Sequence, residues 1–220
     1  MLVNKDNYYR IAEEVKSRNG ILVAVSKTKP VEAIKELYEL GHRDFAENYV
    51  QELLQKQPAL PQDINWHFIG HLQSNKVKFI APFIHLIQSV DSSKLLTEIN
   101  KQAAKNARKI DVLLQVHIAA EETKFGFDKE ELFKFMEQLK KDSLSNISIK
   151  GLMGMASFTN DENKIRKEFS GLYSIFEDLK SSWSTTFTVL SMGMSSDYKL
   201  ALEEGSTMVR VGSLLFGTRS

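Results

Sequence analysis

Two lysines stand where an apolar stretch of the chain meets a proline. Residues 21–26 read Ile-Leu-Val-Ala-Val-Ser, and Lys27, Thr28, Lys29 and Pro30 follow them. The β-branched run predicts a buried strand, and the proline suits the first turn of a helix because it has no N–H to lose there. Burial in a turn between strand and helix lowers the pKa of a lysine and frees its amine as a nucleophile.

Side-chain alternation distinguishes the two lysines. If Val23 and Val25 face one interior, Lys27 shares their direction, because side chains alternate along a strand. Lys29 shares it only if the strand continues, and Pro30 indicates that a helix has begun by then. Lys27 is therefore the interior candidate and Lys29 the rim candidate. This stretch alone leaves open the alternative of an ordinary strand-end lysine in solvent.

The composition narrows the class of protein. The chain has 220 residues, 42% hydrophobic and 26% charged, with a net charge of +1, so no broad field attracts nucleic acid or membranes. It has no cysteine, which excludes disulfides and thiolate metal sites. No stretch approaches the ~20 apolar residues of a membrane span, and the start does not resemble a signal peptide. We expect a cytoplasmic protein with a single domain over residues 1–220.

Periodicity and turn residues predict eight strands with helices between them. The strands are expected at residues 21–26, 44–49, 65–70, 85–90, 110–118, 147–155, 187–191 and 208–211. Helices are expected at residues 31–40, 50–57, 76–81, 92–107, 128–141, 161–182 and 197–204, with an extra N-terminal helix at residues 7–19. The pattern predicts an α/β fold, a single (β/α)8 TIM-type barrel. A doubly wound sheet is the alternative, but no G-x-G-x-x-G motif follows the first strand.

The strand ends of such a barrel form its active face, and two of them resemble a phosphate site. The loop after strand seven reads Ser-Met-Gly-Met-Ser, ending at Ser195, and strand eight leads into Gly212 and Ser213. Glycine lets the backbone approach an anion, and serine hydroxyls and free N–H groups donate to it. Arg210 adds a positive charge just upstream. A plain turn is the alternative for the Gly-Ser pair alone.

Other candidate groups carry less weight. His67, His71 and His117 do not stand at the spacing of a metal site, so no metal is predicted. The methionines are more typical of barrel core than of a binding stripe.

A lysine on one side of the barrel mouth and a phosphate site on the other would hold an aldehyde that carries a phosphate. Pyridoxal 5′-phosphate (PLP) is such a molecule.

Five motifs together resemble a known family. They are Ala-Val-Ser-Lys-Thr-Lys-Pro at 24–30, Glu-Asn-Tyr-Val-Gln-Glu at 47–52, Trp-His-Phe-Ile-Gly-His-Leu-Gln-Ser-Asn-Lys at 66–76, Leu-Ser-Met-Gly-Met-Ser at 190–195 and Val-Arg-Val-Gly-Ser at 209–213. In this order they resemble the pyridoxal phosphate homeostasis proteins over essentially the whole chain. That family is similar to the N-terminal barrel of alanine racemase, fold type III among PLP proteins.

The resemblance implies roles for individual residues. It implies that Lys27 forms the internal aldimine and that Ser195, Gly212 and Ser213 hold the phosphate. The other cofactor-binding residues that it implies are Asn48, His71, Met192 and Arg210. The chain departs from the family pattern at Ala46, usually glycine, at Gly154, usually threonine, and at Phe125, where a small residue is common.

The family resemblance implies PLP carriage and vitamin B6 homeostasis without a classical catalytic activity, so no catalytic residue is assigned. Racemisation needs a base on each face of the substrate α-carbon, and in the related racemase a tyrosine from an added domain supplies the second. We expect no such domain here, and Tyr49 is a weak substitute. The alternative is a small fold-type III enzyme, an amino-acid racemase or lyase. Expected partners are PLP and apo PLP-dependent enzymes, without nucleic acid or membrane, and we expect a monomer.

Overall fold

Eight parallel strands close into a barrel in chain order, and the last pairs with the first. The computed structural model describes residues 2–119, 125–139 and 144–217. The strands are β1 (Ile21–Val25), β2 (Asp44–Glu47), β3 (Asn65–Phe68), β4 (Leu86–Val90), β5 (Ile110–Val116), β6 (Ile147–Gly154), β7 (Val189–Ser191) and β8 (Met208–Val211). The closed sheet confirms the predicted (β/α)8 barrel and excludes the doubly wound alternative.

Helices alternate with the strands through the described part of the chain. They are α1 (Lys5–Lys16), α2 (Val31–Glu39), α3 (Val50–Lys56), α4 (Val77–Ile80), α5 (Ser93–Lys105), α6 (Lys129–Leu139), α7 (Glu162–Ser182), α8 (Tyr198–Glu203) and α9 (Ser213–Phe216). Single 3-10 turns at Gln57–Ala59 and Ser74–Lys76 precede β3 and α4. The helix expected over residues 76–81 is therefore only one α-helical turn with a 3-10 turn before it.

Side-chain caps set the starts of several helices. The Ser92 hydroxyl accepts a hydrogen bond from the backbone of Leu95 at the start of α5, as predicted. Asp128 accepts one from the backbone of Glu131 at 2.8 Å at the start of α6. The α1 helix begins two residues earlier than predicted because Asn4 caps it. The end predicted for α6, at residue 141, lies outside the described residues.

The N-terminal helix occupies the eighth place in the outer ring. Asn4 donates its backbone N–H to the carbonyl of Leu215 at 2.8 Å, which joins the start of α1 to α9. Lys5 pairs with Glu36 on α2, and Arg10 donates to the hydroxyl of Tyr198 on α8. The extra helix therefore lies between α2 and α8 and closes the ring of helices.

The apolar core has two parts. A small cluster fills the barrel interior and consists of Val23, Ala46, Leu86, Leu113, Met153 and Met208, with Val25 among the residues packed against it. A larger cluster lies between the barrel and the helices. Phe187 belongs to the larger cluster, where its ring stacks on Phe176. Its backbone N–H donates to the carbonyl of Ser184 instead of to β6, and β7 begins at Val189, two residues later than predicted.

Gly151 is the glycine with the least space around it. Its φ is +153°, and an added Cβ would lie 1.7 Å from the carbonyl oxygen of Val189 on the neighbouring strand. We expect Gly151→Ala to lower the free energy of unfolding by at least about 3 kcal/mol, measured by urea denaturation. Gly171→Ala is the matched control, because no atom lies within 4 Å of the added Cβ on α7. It should be neutral or stabilise by up to about 1 kcal/mol; equal effects of the two changes would contradict the prediction.

Candidate functional site

The predicted site residues follow the carboxyl ends of the strands. Lys27 follows β1, Asn48 follows β2 and His71 follows β3, while Ser195 follows β7 and Gly212 follows β8. In a closed parallel barrel these ends all open at one mouth. The fold therefore brings the predicted residues to one face of the molecule.

The lysine-bearing turn leaves β1 in the way that the alternation argument requires. Val23 belongs to the barrel-interior cluster and Val25 packs against it, so the premise of that argument is confirmed. Lys29 donates its backbone N–H to the carbonyl of Ser26 at 3.0 Å, and Thr28 has a φ of +63°. Lys27 is half-buried within this tight turn. Its chemical role stays a prediction.

Four polar side chains hold the backbone on both sides of Lys27, and we call them the clamp. They are Ser26, Glu47, Glu52 and Lys56. The Lys56 ammonium donates to the carbonyl of Ser26 at 2.8 Å and to Glu47 Oε1 at 2.8 Å. The Thr28 backbone N–H donates to Glu52 Oε1 at 2.5 Å. The two neighbours of Lys27 are thus fixed by one buried charge network.

Burial dominates the electrostatics of the clamp. It raises the pKa of Glu47 to about 7, although Lys56 and the Ser26 hydroxyl both favour the charged form. Glu47 Oε2 is buried and has no hydrogen-bond partner in the described structure. The carboxyl group is therefore held close to its titration point at neutral pH.

The loops after β7 and β8 join at a hydrogen bond between two of the predicted phosphate residues. The backbone N–H of Gly212 donates to the Ser195 hydroxyl at 3.1 Å. An added Cβ on Gly212 would lie 3.1 Å from the carbonyl oxygen and 3.3 Å from the Cβ of Val25, so this loop packs directly against the strand that carries Lys27. We call the pair of loops, residues 193–197 and 212–213, the cup.

The backbone of the cup is fixed from below. Gly193 has a φ of +96°, and a Cβ there would lie 2.5 Å from Ala201 Cβ. Asp197 accepts a hydrogen bond from the backbone N–H of Met194 at 2.5 Å. Ser213 is exposed at the start of α9, and the first N–H groups of a helix have no acceptor within it. The cup thus offers hydroxyl and N–H donors on a fixed backbone, which suits an anion.

Arg210 is the buried cation beneath the mouth. Its side chain donates to the Ser191 hydroxyl at 2.5 Å and to the carbonyl of Gly154 at 2.9 Å. Burial lowers the pKa of Arg210 to about 10, against the attraction of Asp197, so the guanidinium stays charged at neutral pH.

Asn48 and His71 lie on the β2 and β3 side of the mouth. Asn48 Oδ1 is buried without a hydrogen-bond partner in the described structure, which leaves an acceptor for a ligand. Gly70 lets the two loops meet, since a Cβ there would lie 2.2 Å from the carbonyl oxygen of Asn48. The exposed His71 ring contacts Asp91 through Nδ1 at 3.1 Å and stacks on Phe125.

The described residues hold no group of three or more His, Cys, Asp or Glu side chains suited to a metal ion. Within the same residues, no helix has both the length and the apolar composition to cross a bilayer.

Both the sequence and the fold are similar to those of known proteins. The model of the family "alanine racemase, N-terminal domain" matches residues 4–220. The chain belongs to this family. It is 42% identical to the pyridoxal phosphate homeostasis protein of Aquifex aeolicus over 90% of this chain and 86% of that protein. It is 40% identical to the human protein of the same name over 90% of this chain and 76% of that protein. These similarities place it among the pyridoxal phosphate homeostasis proteins.

Solved structures show the same barrel. PipY of Synechococcus elongatus, solved without PLP, superposes with a TM-score of 0.90 at 34% identity and covers 96% of this chain and 99% of PipY. PipY with PLP bound gives a TM-score of 0.84 at 35% identity, with 96% of this chain and all of PipY covered. A Clostridium difficile alanine racemase shares the fold at 17% identity and a TM-score of 0.76, over 99% of this chain and 57% of the racemase.

Two departures from the family pattern have a structural explanation. A Cβ on Gly154 would lie 2.5 Å from Leu172 Cδ2 on α7 and 3.1 Å from Ile118 Cδ1. A threonine at this position would therefore project toward the helix layer, while the carbonyl of Gly154 serves Arg210. Phe125, the second of these departures, stacks on His71 with ring centroids 4.3 Å apart.

Met192 lies apart from the other predicted cofactor residues. Its side chain is fully buried in the larger cluster between barrel and helices, not in the barrel-interior cluster. The contact predicted for it stays a prediction, and this placement does not bring its side chain to the mouth.

The sequence analysis did not predict the clamp, although the i,i+4 pair of Glu52 and Lys56 on α3 was a signal for part of it.

Proposed function

We propose that this chain is a PLP-binding protein whose cofactor site is the mouth formed by Lys27 and the cup. The observation that carries the proposal is the packing of Gly212 against Val25, with Ser195 bound to Gly212. This packing brings a phosphate-type site beside the strand that carries the lysine. PLP has both groups that such a mouth can hold, an aldehyde and a phosphate. In this proposal residues 1–220 form one PLP-binding domain.

The residues at the mouth suit this ligand. Lys27 would hold the aldehyde end of the cofactor, because its amine can bond the aldehyde carbon with release of the oxygen as water. The hydroxyls of Ser195 and Ser213 and the N–H groups near Gly212 donate to the phosphate. Asn48 Oδ1 would be an acceptor for the cofactor, and Arg210 would supply a fixed positive charge beneath the mouth. Bound in this way, the cofactor supplies an electron-withdrawing ring next to its carbon–nitrogen bond.

We place the chain in PLP carriage and vitamin B6 homeostasis, without a classical catalytic activity. The homologues at 38–42% identity are homeostasis proteins by name. Racemisation requires a base on each side of the α-carbon, and two side chains near the mouth that could serve as a second base are open to water. The Tyr49 side chain is 57% exposed, and His71 is 45% exposed. A racemase or lyase remains the alternative, and conversion of an amino acid faster than by free PLP would support it.

Three further points belong to the same proposal. We expect the protein to act in the cytoplasm and as a monomer. Apo PLP-dependent enzymes are its expected partners, since a cofactor held by a reversible bond to lysine at an open mouth can be released to an acceptor. The identity of these enzymes is a matter for transfer assays.

Retention of PLP against pyridoxal tests the proposed site. We expect the wild-type protein to keep PLP through dialysis and to lose pyridoxal, which lacks the phosphate. Ser195→Ala should weaken PLP binding by about tenfold, or about 1.4 kcal/mol, measured by equilibrium dialysis. Ser170, exposed on α7 and outside the cup, is the matched control, and Ser170→Ala should bind as wild type does. Equal retention of PLP and pyridoxal would contradict a phosphate site.

A further inference from the structure

A chain of polar side chains crosses the interior of the barrel from one end to the other. We call it the interior chain, and its members are Asp44, His67, Gln88, Ser191 and Arg210, on strands β2, β3, β4, β7 and β8. Four of the five are at most 3% exposed. Buried polar groups in an otherwise apolar barrel interior destabilise the fold unless each has a partner. The interior chain gives each of them one.

The guanidinium determines the direction of the first hydrogen bonds. Arginine can only donate, so the Ser191 hydroxyl accepts from Arg210, at 2.5 Å. The single hydroxyl hydrogen of Ser191 is then directed to Gln88 Oε1, 2.7 Å away. This leaves the amide nitrogen of Gln88 on the far side from Arg210.

The amide of Gln88 extends the same donor-to-acceptor order to the next residue of the interior chain. Its nitrogen lies 3.0 Å from His67 Nδ1 and 3.2 Å from Met208 Sδ, so its two hydrogens have two acceptors. His67 Nδ1 must therefore be unprotonated, and the ring hydrogen lies on Nε2, which faces Asp44 Oδ1 at 3.1 Å. The opposite amide orientation would leave the Ser191 hydroxyl accepting from both sides with no acceptor for its own hydrogen. Only the first orientation of the amide gives every donor in the interior chain an acceptor.

The far end of the chain is anchored by a carboxylate. Burial would raise the pKa of Asp44, but hydrogen bonds from His67 and Asn65 outweigh it and hold the pKa below its usual value. Asp44 is therefore a charged acceptor at neutral pH, and it fixes the tautomer of His67.

We propose that Ser191, Gln88 and His67 are positioning residues that hold the Arg210 guanidinium in one orientation toward bound PLP. The inference rests on the proposed function, because it takes the mouth above Arg210 as the cofactor site. A guanidinium has five N–H donors. Among the described residues, Ser191 and Gly154 each accept from one of its two terminal nitrogens, which leaves three N–H donors for a ligand. Without the interior chain, the side chain would lose the acceptor that fixes its plane.

The first test measures the chain without any cofactor. Nitrogen-15 NMR of the wild-type protein should show His67 with hydrogen on Nε2 and none on Nδ1. Gln88→Leu should give a mixture of tautomers at His67, because the donor to Nδ1 is gone. Gln102→Leu is the matched control, since Gln102 is also buried but lies on α5 and pairs with Glu98. A wild-type His67 with hydrogen on Nδ1 would overturn the proposal, whether or not the protein binds PLP.

The second test measures the effect at the mouth. In the PLP-loaded protein, Ser191→Ala should shift the absorption maximum of the bound cofactor and weaken its binding by about tenfold. Ser191→Thr keeps the hydroxyl and should restore both, which a loss of packing alone would not explain. An absorption maximum and affinity in Ser191→Ala equal to those of wild type would overturn the positioning role. Failure of wild type to retain PLP would instead refute the proposed function, while the His67 measurement would still stand.

Discussion

Lys27→Ala should abolish the visible absorption band of lysine-bound PLP. The alanine has no amine to bond the aldehyde carbon, so only the cup and Arg210 would hold the cofactor. We expect the band to be absent after addition of PLP and dialysis, and the affinity to fall by at least about tenfold in equilibrium dialysis. The side chain is half-buried in a turn whose neighbours are held by the clamp, so the fold itself should persist.

Lys29→Ala is the matched control for this experiment. It removes a lysine from the same turn, two residues further on, and should keep the band. If Lys27→Ala kept the band and Lys29→Ala lost it, the choice between the two lysines by strand alternation would be wrong. If both variants kept it, a lysine elsewhere in the chain would be the anchor.

Lys56→Met should be the most destabilising of the charge changes considered for this chain. It removes the cation from a buried pair and leaves Glu47 with the Ser26 hydroxyl as its remaining partner. Breaking a buried ion pair from one side lowers the free energy of unfolding by about 3 kcal/mol or more. The change also frees the carbonyl of Ser26, so PLP binding should weaken together with stability. Urea denaturation and equilibrium dialysis measure the two effects.

The pH dependence of this variant has a definite sign. The pKa of Glu47 is raised in the folded state from 4.5 to about 7, and loss of Lys56 should raise it further. A folded-state pKa above the unfolded one gives a contribution to stability that is full below the unfolded pKa and is lost as the pH rises through the folded pKa. Lys56→Met should therefore lose stability more steeply than wild type between about pH 5 and pH 8.

Two controls distinguish the effect of breaking the clamp from the effect of removing any charged side chain. Lys180→Met removes a surface ion pair with Glu177 on α7 and should change the free energy of unfolding by less than about 1 kcal/mol. The double variant Glu47→Gln with Lys56→Met removes both charges, so it should recover part of the lost stability and lose most of the pH dependence. An effect of Lys56→Met no larger than that of Lys180→Met would contradict the role of the clamp.

Local sequence patterns predicted the elements and the residues near strand ends. The alternation of Val23 and Val25 gave the right facing for β1, and Ser92 and Asp128 marked true helix starts. These features depend on neighbours a few residues away. Placing Gly212 beside Ser195 also followed from the barrel topology, because consecutive parallel strands end together.

Contacts between distant parts of the chain could not be predicted from the sequence. Gln88 and Ser191 lie 103 residues apart and meet only because the barrel closes. Nothing in the local pattern shows that the buried glutamine on β4 faces a serine on β7. Lys56 reads as an ordinary helical surface lysine, yet it is 5% exposed beneath the turn after β1. Met192 sits within a predicted binding loop, but its side chain faces the helix layer.

The pairing of β8 with β1 determines when the mouth can exist during folding. Ile21 pairs with Met208 and Ala24 with Val211, so the two walls that bring Gly212 to Val25 come from opposite ends of the chain. Pairings of this sequence separation form late, because loop closure must come first. A chain emerging from the ribosome therefore lacks the proposed cofactor site until β8 is made, and PLP captured there would mark a barrel that has already closed. Such a ligand stabilises only the finished fold, which links supply of the cofactor to the amount of folded protein.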